Sequence, residues 1–114
     1  MADPRVRQIK IKTGVVKRLA KEKTVYEKEA EQQKTRIQKF KDDGKDEYDI
    51  RKQEEVLQEA LMMVPDCVRR LMKAHGELKS ILDSEQDLKE TEDYITALQV
   101  LVDAEKELPD DPTA

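Results

Sequence analysis

The sequence predicts an all-α chain, an elongated up-down-up three-helix bundle whose second helix is kinked at a proline. Of the 114 residues, 42% are charged and only 4% aromatic, with three Gly and no Trp, a mixture suited to long helices with solvated faces. Apolar residues recur at heptad spacing through two long stretches, the signature of helices packed along a common seam. Turn residues gather in two clusters, whereas an all-β chain needs them about every eight to twelve positions. One domain is expected over residues 1–108, with a disordered tail at 109–114.

The first helix is expected over about 4–41. Asp3-Pro4 fits an N-cap followed by proline at the first helical position, where a missing N–H costs nothing. Counting sevens from Ile9 gives Ile9, Lys12, Val16, Leu19, Lys23, Tyr26, Ala30, Gln33, Ile37 and Phe40. Most of these are apolar, and the sustained heptads outweigh the strand-like alternation of Ile9 and Ile11 and the roughly 1 kcal/mol penalty of Gly14.

DDGKDEYD at 42–49 supplies the first break, with Gly44 suited to ending a helix and Asp46 or Asp49 to capping the next. The second helix is expected over about 48–82 on the seam Ile50, Gln53, Leu57, Ala60, Val64, Cys67, Leu71, Ala74, Leu78 and Ile81. This seam crosses Pro65 without gaining or losing a residue, whereas a loop would shift the count. Pro65 lies off the seam, so one helix bent by the proline is expected, despite a cost of roughly 3 kcal/mol in a helix interior.

DSEQD at 83–87 gives the second break. Asp83 with Gln86, or Ser84 with Asp87, resembles a capping box. A third helix is expected over about 85–108, with Leu88, Ile95, Leu98 and Val102 as its inner residues and Tyr94, Leu101 and Leu108 flanking them.

Chemistry is hard to find in these residues. His75, the single histidine, falls beside the seam as a structural imidazole, and Cys67 lies on it as a small hydrophobe. The acidic DDGKDE stretch places Gly44 too early for a calcium loop. There is no GxxxxGK[ST] or GxGxxG to cradle a phosphate, so neither enzyme activity nor a cofactor is expected.

No run approaches the roughly 18 to 20 apolar residues of a membrane span, and MADPRVRQIK has no apolar stretch like a signal peptide. A cytoplasmic protein without membrane contact is expected. Nucleic acid is not expected either, since the net charge is −4 and the basic segment has no interleaved aromatics.

The outward residues carry more information. Residues 1–23 hold eight Lys/Arg against Asp3 and Glu22, and residues 76–114 hold three Lys against twelve Asp/Glu. The basic segment could pair with the start of the third helix or with an acidic partner. Ile11 and Val25 fall at one outward position two heptads apart with Arg18 between them, and Met62 points outward near Pro65 in line with Asp66 and Arg69. Together with Lys10 and Lys17, these eight residues are the candidate partner-binding set.

Several segments resemble one family. They are MADPRVRQIKIKTGVVKRLAKEK at 1–23, YEKEAEQQ at 26–33, YDIRKQEEVLQE at 48–59, MMVPDCVRRL at 62–71 and EDYITA at 92–97, and they are similar to the tubulin-specific chaperone A, or tubulin-folding cofactor A, family. The resemblance implies a kinked three-helix rod that captures folded or nearly folded β-tubulin after chaperonin release and holds it for assembly with α-tubulin, without ATP or GTP hydrolysis. It also implies cytoskeletal association, helical faces as the contact surface and indirect links to other tubulin-folding cofactors. A monomer is expected over a dimer. The alternative from another class is a generic three-helix scaffold or self-associating coiled-coil adaptor with no client.

Overall fold

A computed structural model describes residues 3–109. Three helices run in succession, α1 over Pro4–Asp42, α2 over Glu47–Ser84 and α3 over Glu92–Glu105, with a single 3-10 turn at Gln86–Leu88 before the last. The molecule measures 64 × 35 × 16 Å along its principal axes.

Local chemistry sets each boundary. Asp3 is extended and its carboxylate accepts the Arg5 amide at 2.9 Å, with Pro4 opening α1. At the far end Gly44 adopts φ 69°, its amide donates to the Lys41 carbonyl and the Lys45 amide donates to the Phe40 carbonyl. That pair of bonds is a Schellman closure, which needs a left-handed residue that glycine supplies at least cost. Asp46 takes the N-cap position of α2, although its side chain makes no capping bond.

The heptad seams of α1 and α2 face inward along their whole lengths, every position on them being buried or half-buried. α2 continues through Pro65 without interruption, with Pro65 exposed, Val64 half-buried and Cys67 fully buried. Burial pushes the Cys67 thiol above its ordinary pKa. One polar pair lies in the seam: the buried Gln33 carboxamide donates to the Gln53 carbonyl at 2.8 Å and to the Gln53 side-chain oxygen at 2.9 Å.

The third helix differs from expectation in its start and in its inward face. Neither expected capping box forms. The Ser84 hydroxyl donates to the Ser80 and Ile81 carbonyls, closing α2 instead, while Glu85 and Asp87 turn to Arg5. The 3-10 turn drops Leu88 into the core, and Thr91 caps α3, accepting the Tyr94 amide at 3.3 Å. The α-helix ends at Glu105 rather than 108.

Its buried residues are Tyr94, Ala97, Leu101 and Ala104, and Ile95, Leu98 and Val102 face solvent. α3 packs mainly against α1, and Tyr94, Ala97, Leu101 and Ala104 join the cluster that holds Val16, Leu19, Leu71 and Leu78. The Tyr94 hydroxyl donates to the Leu82 carbonyl at 2.8 Å, satisfying a buried phenol and fixing the rotation of the helix.

The core is therefore one-sided along the rod. Its main cluster joins the first half of α1, the second half of α2 and α3, and burying each large side chain there contributes about 1.5–3 kcal/mol. Beyond Val25 the rod is a two-helix hairpin. Residues 47–66 of α2 include no fully buried side chain, and of the tail expected at 109–114 all but Pro109 lies outside the described residues.

Candidate partner-binding surface

The basic N-terminal segment divides by helix face. Arg5 binds Asp3, Glu85 and Asp87 at 2.8, 2.8 and 2.9 Å, joining the start of α1 to the segment before α3. Hydrogen bonds from Asp3 first, then Asp87 and Glu85, hold its guanidinium well above the usual arginine range. Lys12 reaches Glu77 and Lys23 reaches Glu107, both across helices.

The remaining cations point away from the bundle. Arg7, Lys10, Lys17, Arg18, Lys21 and Lys28 are exposed on one outward arc of α1, and the carboxylates of this stretch, Glu22, Glu27 and Glu29, occupy flanking positions beside the seam. Arg18 makes a loose pair with Glu22 at 3.7 Å. Among the described residues Arg7, Lys10, Lys17 and Lys21 have no carboxylate within 4 Å. Ile11 and Val25 lie on the same arc, 54% and 43% exposed. The result is a basic stripe about 30 Å long with two apolar points, on a protein whose net charge is −4.

The stripe leads into two grooves. Arg18, Lys21, Glu22 and Val25 line a shallow one of about 280 Å³ that ends at Tyr26 and Glu29. The same Tyr26 and Glu29 begin a larger groove of about 520 Å³, with Gln32, Gln33 and Arg36 on one wall and Val56, Glu59, Ala60, Met62 and Met63 on the other. It lies in the hairpin half that α3 does not reach. Met62 is 70% exposed at its rim, and the flexible thioethers of Met62 and Met63 can adapt to different apolar shapes.

Five of the eight candidate residues, Lys10, Ile11, Lys17, Arg18 and Val25, thus share one face of α1, and Met62 joins them through the Tyr26–Glu29 edge. Asp66 and Arg69 do not complete that surface. Half-buried Asp66 is engaged by Arg69 at 3.1 Å and Arg70 at 3.0 Å. Arg69 lines a separate groove with Lys23, Pro65 and Leu108. Sequence reasoning missed Tyr26, Val56 and Met63 as groove residues. Val56 and Met63 stand one heptad apart just off the seam, which is the signal that could have found them.

The remaining reactive side chains are structural. His75 Nε2 lies 3.1 Å from the Leu101 carbonyl and 3.5 Å from Glu105, linking α2 to α3. Among the described residues there is no cluster of three or more His, Cys, Asp or Glu able to hold a metal, and no helix long and apolar enough to cross a membrane.

Known proteins resemble the chain over most of its length. Residues 4–101 match the family described as Tubulin binding cofactor A. The chain is 61% identical over 101 residues to tubulin-specific chaperone A of Bos taurus, covering 89% of this chain and 94% of that protein. It is 43% identical over 106 residues to tubulin-folding cofactor A of Arabidopsis thaliana, covering 91% and 94%. Among solved structures it is similar to human tubulin chaperone cofactor a, with TM-score 0.76 and 55% identity over 90% of this chain and 99% of that one. The Arabidopsis thaliana cofactor A crystal structure gives TM-score 0.81 at 41% identity, over 90% and 97%.

Proposed function

The chain belongs to the Tubulin binding cofactor A family, and on that footing we propose that it is a tubulin-folding cofactor that binds and holds near-native β-tubulin during folding and heterodimer assembly. The observation that carries this reading is the likeness to tubulin-specific chaperones along nearly the whole chain. Geometry supports a binding role through the basic stripe of α1 and the Met62–Met63 groove beside it.

Binding alone is sufficient for the mechanism. A holder that prefers one conformer of its client raises the population of that conformer by mass action, by about 2.7 kcal/mol when the free holder stands at 100 times its Kd. The sequence has no glycine-rich phosphate loop, which supports a reading without ATP or GTP hydrolysis. The stripe supplies long-range attraction to an acidic client and the groove supplies adaptable apolar contact. Cytoplasmic action, beside the cytoskeleton and as a monomer, follows from this reading.

Immobilised chain exposed to cytosol should retain β-tubulin in preference to α-tubulin; capture of neither, or only of further copies of the chain, would favour a client-free scaffold. Arg18→Glu combined with Met62→Asp should weaken β-tubulin capture at least about tenfold, or roughly 1.4 kcal/mol, with helix content unchanged. Unaltered capture would remove this face from the mechanism.

A further inference from the structure

We infer that the outer face of α3 is a second docking surface, whose occupant is a basic amphipathic helix of a partner protein. It stands apart from the basic stripe of α1 and does not depend on the identity of the client bound there.

α3 buries Tyr94, Ala97, Leu101 and Ala104 and leaves a second apolar face outside. On that face Ile95, Leu98 and Val102 are 56%, 46% and 55% exposed. Leaving three large aliphatics about half exposed forgoes burial that would otherwise stabilise the fold. The orientation is fixed by the Tyr94 hydroxyl on the Leu82 carbonyl, by His75 against the Leu101 carbonyl and by the Thr91 cap. Spacings of three and four residues place the three aliphatics on one helix face, where a partner helix meets side chains at i, i+3 and i+7.

Charge selects the partner. α3 carries Glu92, Asp93, Asp103 and Glu105, and its one cation is Lys106 at the C-cap, in line with Val102, so the face is acidic on balance and an apolar stripe flanked by lysines or arginines is its complement. A second copy of this chain is disfavoured, because a twofold contact would set the same carboxylates against one another.

The test uses the full chain and a labelled 18-residue helical peptide with leucines on one face and lysines on the other. Its controls are a twin with glutamates for lysines and a peptide of the same composition with the face scrambled. The basic amphipathic peptide should bind at least tenfold tighter than either control, weaken with salt and shift backbone amide resonances along α3. The triple variant Ile95→Gln, Leu98→Gln, Val102→Gln keeps every charge and alters only exposed positions, and it should lose that affinity at least tenfold. Equal binding by the variant, equal binding by the acidic twin or resonance shifts confined to α1 would overturn the inference. So would a dimer of the chain alone that the same variant dissolves.

Discussion

Arg5 closes the near end of the rod through three carboxylates, and its effect depends on pH. Asp3 is held below its ordinary value of 3.8, chiefly because the Arg5 side chain hydrogen-bonds its carboxylate. A carboxylate depressed by folding contributes stability that is present above its unfolded pKa and is lost as pH falls through the folded one. Arg5→Gln should therefore lower the thermal midpoint at pH 5–7 by the small amount typical of exposed pairs, and the gap should close as pH drops below about 3.8. A gap of constant size down to pH 2 would show that Arg5 acts through packing instead. The Asp3-Pro4 cap was legible in sequence, and pairing of the basic segment with the start of the third helix was one of its two readings; which cation takes Glu85 and Asp87 was not legible, because it depends on how two distant segments meet.

Among the elements, α1 and α2 were readable because ten seam positions each leave little freedom in choosing the buried face. α3 was not. With 14 residues it offers two apolar faces; heptad spacing from Leu88 picks out Ile95, Leu98 and Val102, whereas the bundle buries Tyr94, Ala97, Leu101 and Ala104. Its true start was hidden for a related reason: Asp83 and Ser84 have capping chemistry, yet Leu88 must first reach the core. Pro65 leaves the Leu61 carbonyl without its helical donor, at a cost of roughly 3 kcal/mol in an ideal helix. Pro65→Ala should raise stability in the direction of that figure, read as a higher thermal or denaturant midpoint. An unchanged or lower midpoint would mean that the surrounding turn has already relaxed around the ring.

At the scale of the molecule, packing is uneven along a 64 Å body. Three helices share the large cluster at one end, whereas Ala30, Gln33 and Ile37 are the buried residues of α1 in the hairpin half. Local opening follows burial, so amide exchange should be fastest over 27–42 and 47–62 and slowest over 67–82. Uniform protection would show that the hairpin gains stability from a source other than its core. The groove belongs to this looser half, and it escaped the sequence because it arises where a third helix stops.

The Gln33–Gln53 pair bears on how that hairpin aligns. Sliding one helix past the other by seven residues would keep most apolar positions matched, so oil alone discriminates poorly between the two arrangements. After such a slip Gln33 would face Ala60 or Asp46 and lose the Gln53 side-chain oxygen that accepts from it at 2.9 Å. The glutamine pair thus favours one register of the hairpin, the register in which Tyr26 and Met63 line the same groove.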